Sequence, residues 1–157
     1  MINKDELLRM ALMKADEYGI RREWVFALIK IESNWDYYAV RFEPNWKYFF
    51  KPEYFAHENR ITVGTEKTLQ GCSFGLMQVM GTVAREFDHR GPILEMVQPD
   101  VGLKYGCLKF LSLIRKYGYT MDSVAAYNAG APIKENGIYV NKAYVDKFQN
   151  ALNGVIA

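Results

Sequence analysis

Apolar residues recur at helical spacing along much of the chain. From about Asn3 to Tyr18, Leu7, Leu8, Ala11, Leu12, Ala15 and Tyr18 share one face. Asn3 stands where a cap belongs, Glu6 where a capping-box partner would, and Gly19 suits the C-terminal stop. This predicts a first helix with a packing role. A second helix starts near Arg21 or Arg22, with Val25, Leu28 and Ile29 as its stripe. The next position on that stripe is Glu32, and the helix is expected to stop at Ser33-Asn34. A carboxylate has arrived where an apolar side chain was due. Proximity to a core and the negative end of the helix dipole both disfavour its charge. A carboxyl group still protonated near neutral pH is a general acid. The bland alternative is a Glu that ends a helix and points into water.

Beyond Asn34 to Val40, periodicity fades, and an irregular region is expected to about Gln70. It holds Phe42, Trp46, Tyr48, Phe49, Phe50, Tyr54 and Phe55, with Pro44 and Pro52 as helix breakers and Gly64 and Gly71 as turn markers. These rings read as a secondary hydrophobic cluster, or as the wall of a sugar-binding groove with one or two rings facing substrate. Cys72 to Met80 is short and apolar, consistent with a buried turn and a stub of strand. Thr82 can cap a short helix to about Phe87, and Ile93 to Val97 reads as a turn of helix. Pro99 opens the longest helix, to about Tyr117, with Leu103, Cys107, Phe110, Leu111 and Ile114 buried. Asp122 is placed to cap a helix over Ser123 to Asn128, with Gly130 behind it. Ala131 to Val140 reads as a loop. Asn141 caps a last helix with Tyr144, Val145, Phe148 and Leu152 as its stripe. The sum is a mainly α fold, one globular domain of six or seven helices with a small β element.

The length, 157 residues, suits one domain with a real core, and 50% hydrophobic residues exclude a disordered chain. Twenty Lys and Arg against eighteen Asp and Glu, a formal charge of +2, give no basic stripe for nucleic acid. No segment is long enough to span a membrane, so no stable membrane insertion is expected. The N-terminal stretch from Met1 to Met13 carries Lys4, Asp5, Glu6 and Arg9 and lacks a signal-peptide core. Any route out of the cytoplasm is therefore expected to be supplied by another factor. Cys72, Cys107, His57 and His89 have no metal-ligand spacing, so neither metal nor cofactor is expected. The cysteines read as buried free thiols, with a disulfide between them left open.

Four motifs occur in order: Glu32-Ser33, Gly75-Leu76-Met77-Gln78, Ala126-Tyr127-Asn128-Ala129-Gly130 and Tyr144-Val145. Together they resemble the signature of the soluble-type lytic transglycosylases, in the lysozyme-like superfamily near goose-type lysozyme. The resemblance runs from about Arg21 to Phe148. It implies Glu32 as the single catalytic acid/base, with Ser33 steadying the helix end. Ser73, Gly75, Leu76, Met77 and Gln78 would line the groove, Gly75 by close backbone approach and Gln78 by its polar side chain. Tyr127 and Asn128 would contact the sugar, and Tyr144 would point toward Glu32. Packing alone is the alternative for Leu76, Met77, Tyr127 and Tyr144.

The implied substrate is the peptidoglycan glycan strand, acted on by a monomer. Cleavage would fall between N-acetylmuramic acid and N-acetylglucosamine and leave 1,6-anhydromuramic ends. A hydrolytic muramidase and an inactive glycan-binding virion module are the rivals. Two features depart from the family pattern. The stretch from Arg41 to Gln70 is surplus and would reshape one groove wall or form a lid. Val140 stands where many relatives carry a Glu. The wording at Arg41-Phe42-Glu43-Pro44 is most similar to phage-encoded members, endolysins or virion-associated lysins.

Overall fold

The computed structural model describes residues 2–156. Its elements are α1 (Lys4–Glu17), α2 (Arg22–Glu32), β1 (Val40–Phe42), α3 (Pro52–Asn59), α4 (Val63–Gln70), β2 (Cys72–Phe74), β3 (Val79–Met80) and α5 (Gly81–Glu86). A 3-10 turn (Ile93–Val97), α6 (Pro99–Tyr117), α7 (Met121–Ala129), β4 (Lys134–Glu135), β5 (Ile138–Tyr139) and α8 (Lys142–Ile156) complete them. The fold is mainly helical with small β elements, as the pattern predicts. Among the described residues there are eight α-helices rather than six or seven. The surplus is α3 and α4, of eight residues each, inside the stretch expected to be irregular. Two turns are too short to display a stripe, and their buried face is partly polar.

The chain divides into two compact units. One holds the residues up to Ile31 and from Cys107 onward, the other Glu32–Gly106. In the first unit Trp24 is the centre of an aromatic core. Its ring lies 6.0 Å from Phe110 and 5.1 Å from both Tyr119 and Phe148. The α1 stripe contributes buried Leu7, Ala11 and Ala15, and Asn3 caps that helix through the Glu6 amide at 2.9 Å. Ala131 to Val140 is not a plain loop: β4 and β5 pair antiparallel around Asn136-Gly137, whose φ values are 51° and 77°. An Asn-Gly pair in the left-handed region is the signature of a tight two-residue hairpin turn. Asp122 lies inside α7 rather than at its cap. Its carboxylate accepts the Tyr139 hydroxyl at 2.5 Å and lies 3.2 Å from Lys134, which anchors the hairpin.

In the second unit β1, β2 and β3 form an antiparallel sheet in that order, with Val40 opposite Phe74 and Phe74 opposite Val79. β2 is wholly buried and β1 exposed. The long aromatic stretch is organised by polar residues. Arg85 and Glu66, both buried, pair at 2.8 Å, and Arg85 also donates to the carbonyls of His89 and Gly91. Gln70 donates to Glu66 and clamps both backbone groups of Phe50. The Arg85 guanidinium lies 4.4 Å over the Phe55 ring. Thr82 does not cap α5: Met80 occupies that position, and the Thr82 hydroxyl donates to the Tyr48 carbonyl. Cys72 and Cys107 are free and buried, and burial pushes the Cys107 thiol up to about 12.

Candidate active site

Glu32 is the last residue of α2 and is half-buried, while Val25, Leu28 and Ile29 on the stripe behind it are fully buried. The helix therefore ends where the sequence predicts, with a carboxyl group at the edge of an apolar face. The chain then turns sharply. Asn34 and Trp35 have φ of 50° and 70°. Asn tolerates the left-handed region, but a bulky Trp there is strained, of order 1–3 kcal/mol. Such strain persists only where the surroundings enforce it. Here the Ser33 carbonyl accepts the Asp36 amide at 3.0 Å, and the Ser33 hydroxyl donates to the Leu76 carbonyl at 2.9 Å. Ser33, the residue after Glu32, is thus tied to the Gly75–Gln78 turn.

That turn is held from within. Gly75 has φ of 70°, and a Cβ there would meet the Met96 carbonyl oxygen at 2.7 Å, so only glycine fits. Gln78 is also left-handed, with φ of 45°. Its amide accepts from the Ser73 hydroxyl at 2.9 Å and donates to the carbonyls of Ala39 at 3.0 Å and Gly75 at 3.1 Å. Both Gln78 amide protons are therefore spent on the turn and on the chain before β1. Leu76 and Met77 are fully buried, so their side chains belong to the core. What the turn secures is backbone shape beside Ser33.

The other motif residues lie in the first unit. Tyr127 is buried on α7, its ring 5.6 Å from Phe110 and 3.9 Å from the Lys109 ammonium, which also donates to the Tyr127 carbonyl at 2.8 Å. Tyr144 is half-buried in the first turn of α8. Asn128 is exposed, and its Oδ1 accepts from Asn141 Nδ2 at 2.9 Å. Asn141 also donates to the Ala125 carbonyl at 3.0 Å, so its side chain ties α8 to α7. Its own Oδ1 is buried without a hydrogen-bond partner. Asn141 therefore precedes α8 as expected, but its side chain does not cap the helix. No sequence pattern marks this link, because its two asparagines stand thirteen residues apart on different elements.

Among the described residues, no helix is long and apolar enough to cross a membrane. A mainly helical fold with a small sheet is consistent with the lysozyme-like class. The family model of the transglycosylase SLT domain matches residues 9–149, and the chain belongs to that family. It is thus a transglycosylase-type enzyme of the cell wall with peptidoglycan as substrate. No curated protein and no solved structure matches it.

Proposed function

We propose that the protein cleaves the β-1,4 bond between N-acetylmuramic acid and N-acetylglucosamine, with Glu32 as the only acid/base. Two-carboxylate glycosidases divide the work between an acid and a base or nucleophile. Here one group does both jobs in sequence. Glu32 protonates the bridging oxygen as the bond to the muramic C1 breaks. The sugar's own acetamido group, or pocket oxygens, relieve the positive character at C1. Glu32, now a carboxylate, takes the proton of the C6 hydroxyl of the same sugar. That oxygen closes onto C1, giving a 1,6-anhydro end without consuming water. An internal nucleophile already in place gains a large proximity advantage.

The observation that carries this reading is a half-buried Glu32 ending α2, fixed through Ser33 to the Gly75–Gln78 turn, in a chain of this family. Tyr127, Asn128 and Tyr144 are the sugar-contacting residues, and Ser73 and Gln78 hold the turn. The wording at Arg41-Phe42-Glu43-Pro44 supports a phage endolysin or virion-associated lysin. Mass spectrometry of peptidoglycan digests tests the chemistry. Anhydromuramic ends are expected. Reducing muramic ends would make the protein a hydrolytic muramidase, and an absence of products would make it a glycan-binding module.

A further inference from the structure

The Ala125 carbonyl can only accept. The Asn141 side chain facing it must therefore present its NH2 group, since an oxygen there would oppose another oxygen. The second Nδ2 proton of Asn141 meets Asn128, so Asn128 must in turn present Oδ1. This leaves Asn128, an exposed residue, with its own NH2 group free of any protein acceptor among the described residues. A fixed backbone carbonyl thus sets the polarity of two side-chain amides in series. The arrangement leaves a side effect in view. Asn141 Oδ1 is buried with no partner, and Asn141 does not cap α8, although Asn is a favoured capping residue. Capping needs one acceptor; this relay needs two protons on one nitrogen. Ser, Thr and Asp, the other good caps, cannot supply them.

We infer that Asn141 is a positioning residue that locks Asn128 with its NH2 outward, so that the protein offers the glycan a hydrogen-bond donor matched to an amide carbonyl. The inference rests on the proposed glycan-contacting role of Asn128. An amide carbonyl is a strong neutral acceptor, and both sugars of the strand carry one in the acetamido group. The lactyl amide of muramic acid is a second source of the same chemistry.

A double-mutant cycle tests this. Asn141→Asp replaces the two donor protons with acceptors, so Asn128 must turn over and present its oxygen. KM for soluble uncrosslinked glycan strands should rise about tenfold, with kcat changed less. In an Asn128→Ala background the same substitution should change KM less than about twofold, because nothing remains to be oriented. Asn141→Ser, which keeps one donor on a smaller side chain, should give a smaller rise of roughly threefold that also vanishes in the Asn128→Ala background. It serves if Asn141→Asp fails to fold. A merely structural link would lower Tm and activity by the same factor in both backgrounds, and that result overturns the inference. Binding of a tri-N-acetylglucosamine oligomer separates the two carbonyl sources. Weakening by Asn141→Asp places the acceptor on the acetamido group; weakening only on muramic strands places it on the lactyl amide. If the wild-type protein releases no product from peptidoglycan, the proposed function fails first. If it does and the two KM factors are equal, only the role of Asn141 fails.

Discussion

Two glycines separate the effects of conformation and of space. Gly75 and Gly137 have nearly the same left-handed φ, 70° and 77°, but a Cβ at Gly137 meets nothing within 4 Å, whereas at Gly75 it meets a backbone oxygen at 2.7 Å. Gly137→Ala should cost about 1 kcal/mol, the conformational term alone. Gly75→Ala adds a clash that no side-chain rotation relieves, and should cost roughly 3 kcal/mol or more. Urea titration of the two variants checks the order; equal midpoints would mean that the Gly75–Gln78 turn yields easily. The end of α2 at Glu32, beside buried Val25, Leu28 and Ile29, was legible in the sequence, because a carboxylate interrupting an apolar stripe is a visible exception. The role of Gln78 was less so. Its polar amide suggested a sugar contact, whereas both protons are engaged by backbone carbonyls of Ala39 and Gly75.

At the scale of elements, the long helices were legible and the short polar ones were not. α1, α2, α6 and α8 each bury a stripe that periodicity reveals. α3 and α4 depend on Glu66, Gln70 and Arg85, residue types that read as surface; Glu66 pairs with Arg85 nineteen residues away and Gln70 with Phe50 twenty residues away. The β4–β5 hairpin was legible in principle through Asn136-Gly137, although its strands are two residues each. The aromatic stretch should then fail when its ion pair fails. Glu66→Gln leaves the buried Arg85 without its carboxylate, which costs about 3–5 kcal/mol. The expected outcome is a Tm lower by roughly 10 °C. A change of only a degree or two would show that the pair is not what holds α4 to α5.

At the scale of the whole molecule, the pH dependence of stability between neutral and mildly acid conditions is assigned to His89. Burial holds its imidazole below the ordinary range, although its contact with the Pro92 carbonyl works the other way. As pH falls below about 6.5, the unfolded chain takes up a proton that the folded protein resists. Stability contributed by the neutral ring is therefore present above that pH and lost as pH falls toward the folded value. Tm should decline as pH falls below about 6.5, and His89→Gln should flatten that decline; an unchanged slope would assign it elsewhere. The central claim, however, concerns Glu32. The decisive measurement is the clearing rate of a peptidoglycan suspension by Glu32→Gln, with its Tm recorded alongside. The account predicts a fold intact to within about 2 °C and a rate reduced roughly a hundredfold or more, as loss of a general acid requires. A folded Glu32→Gln protein that clears the suspension at near the wild-type rate would contradict it.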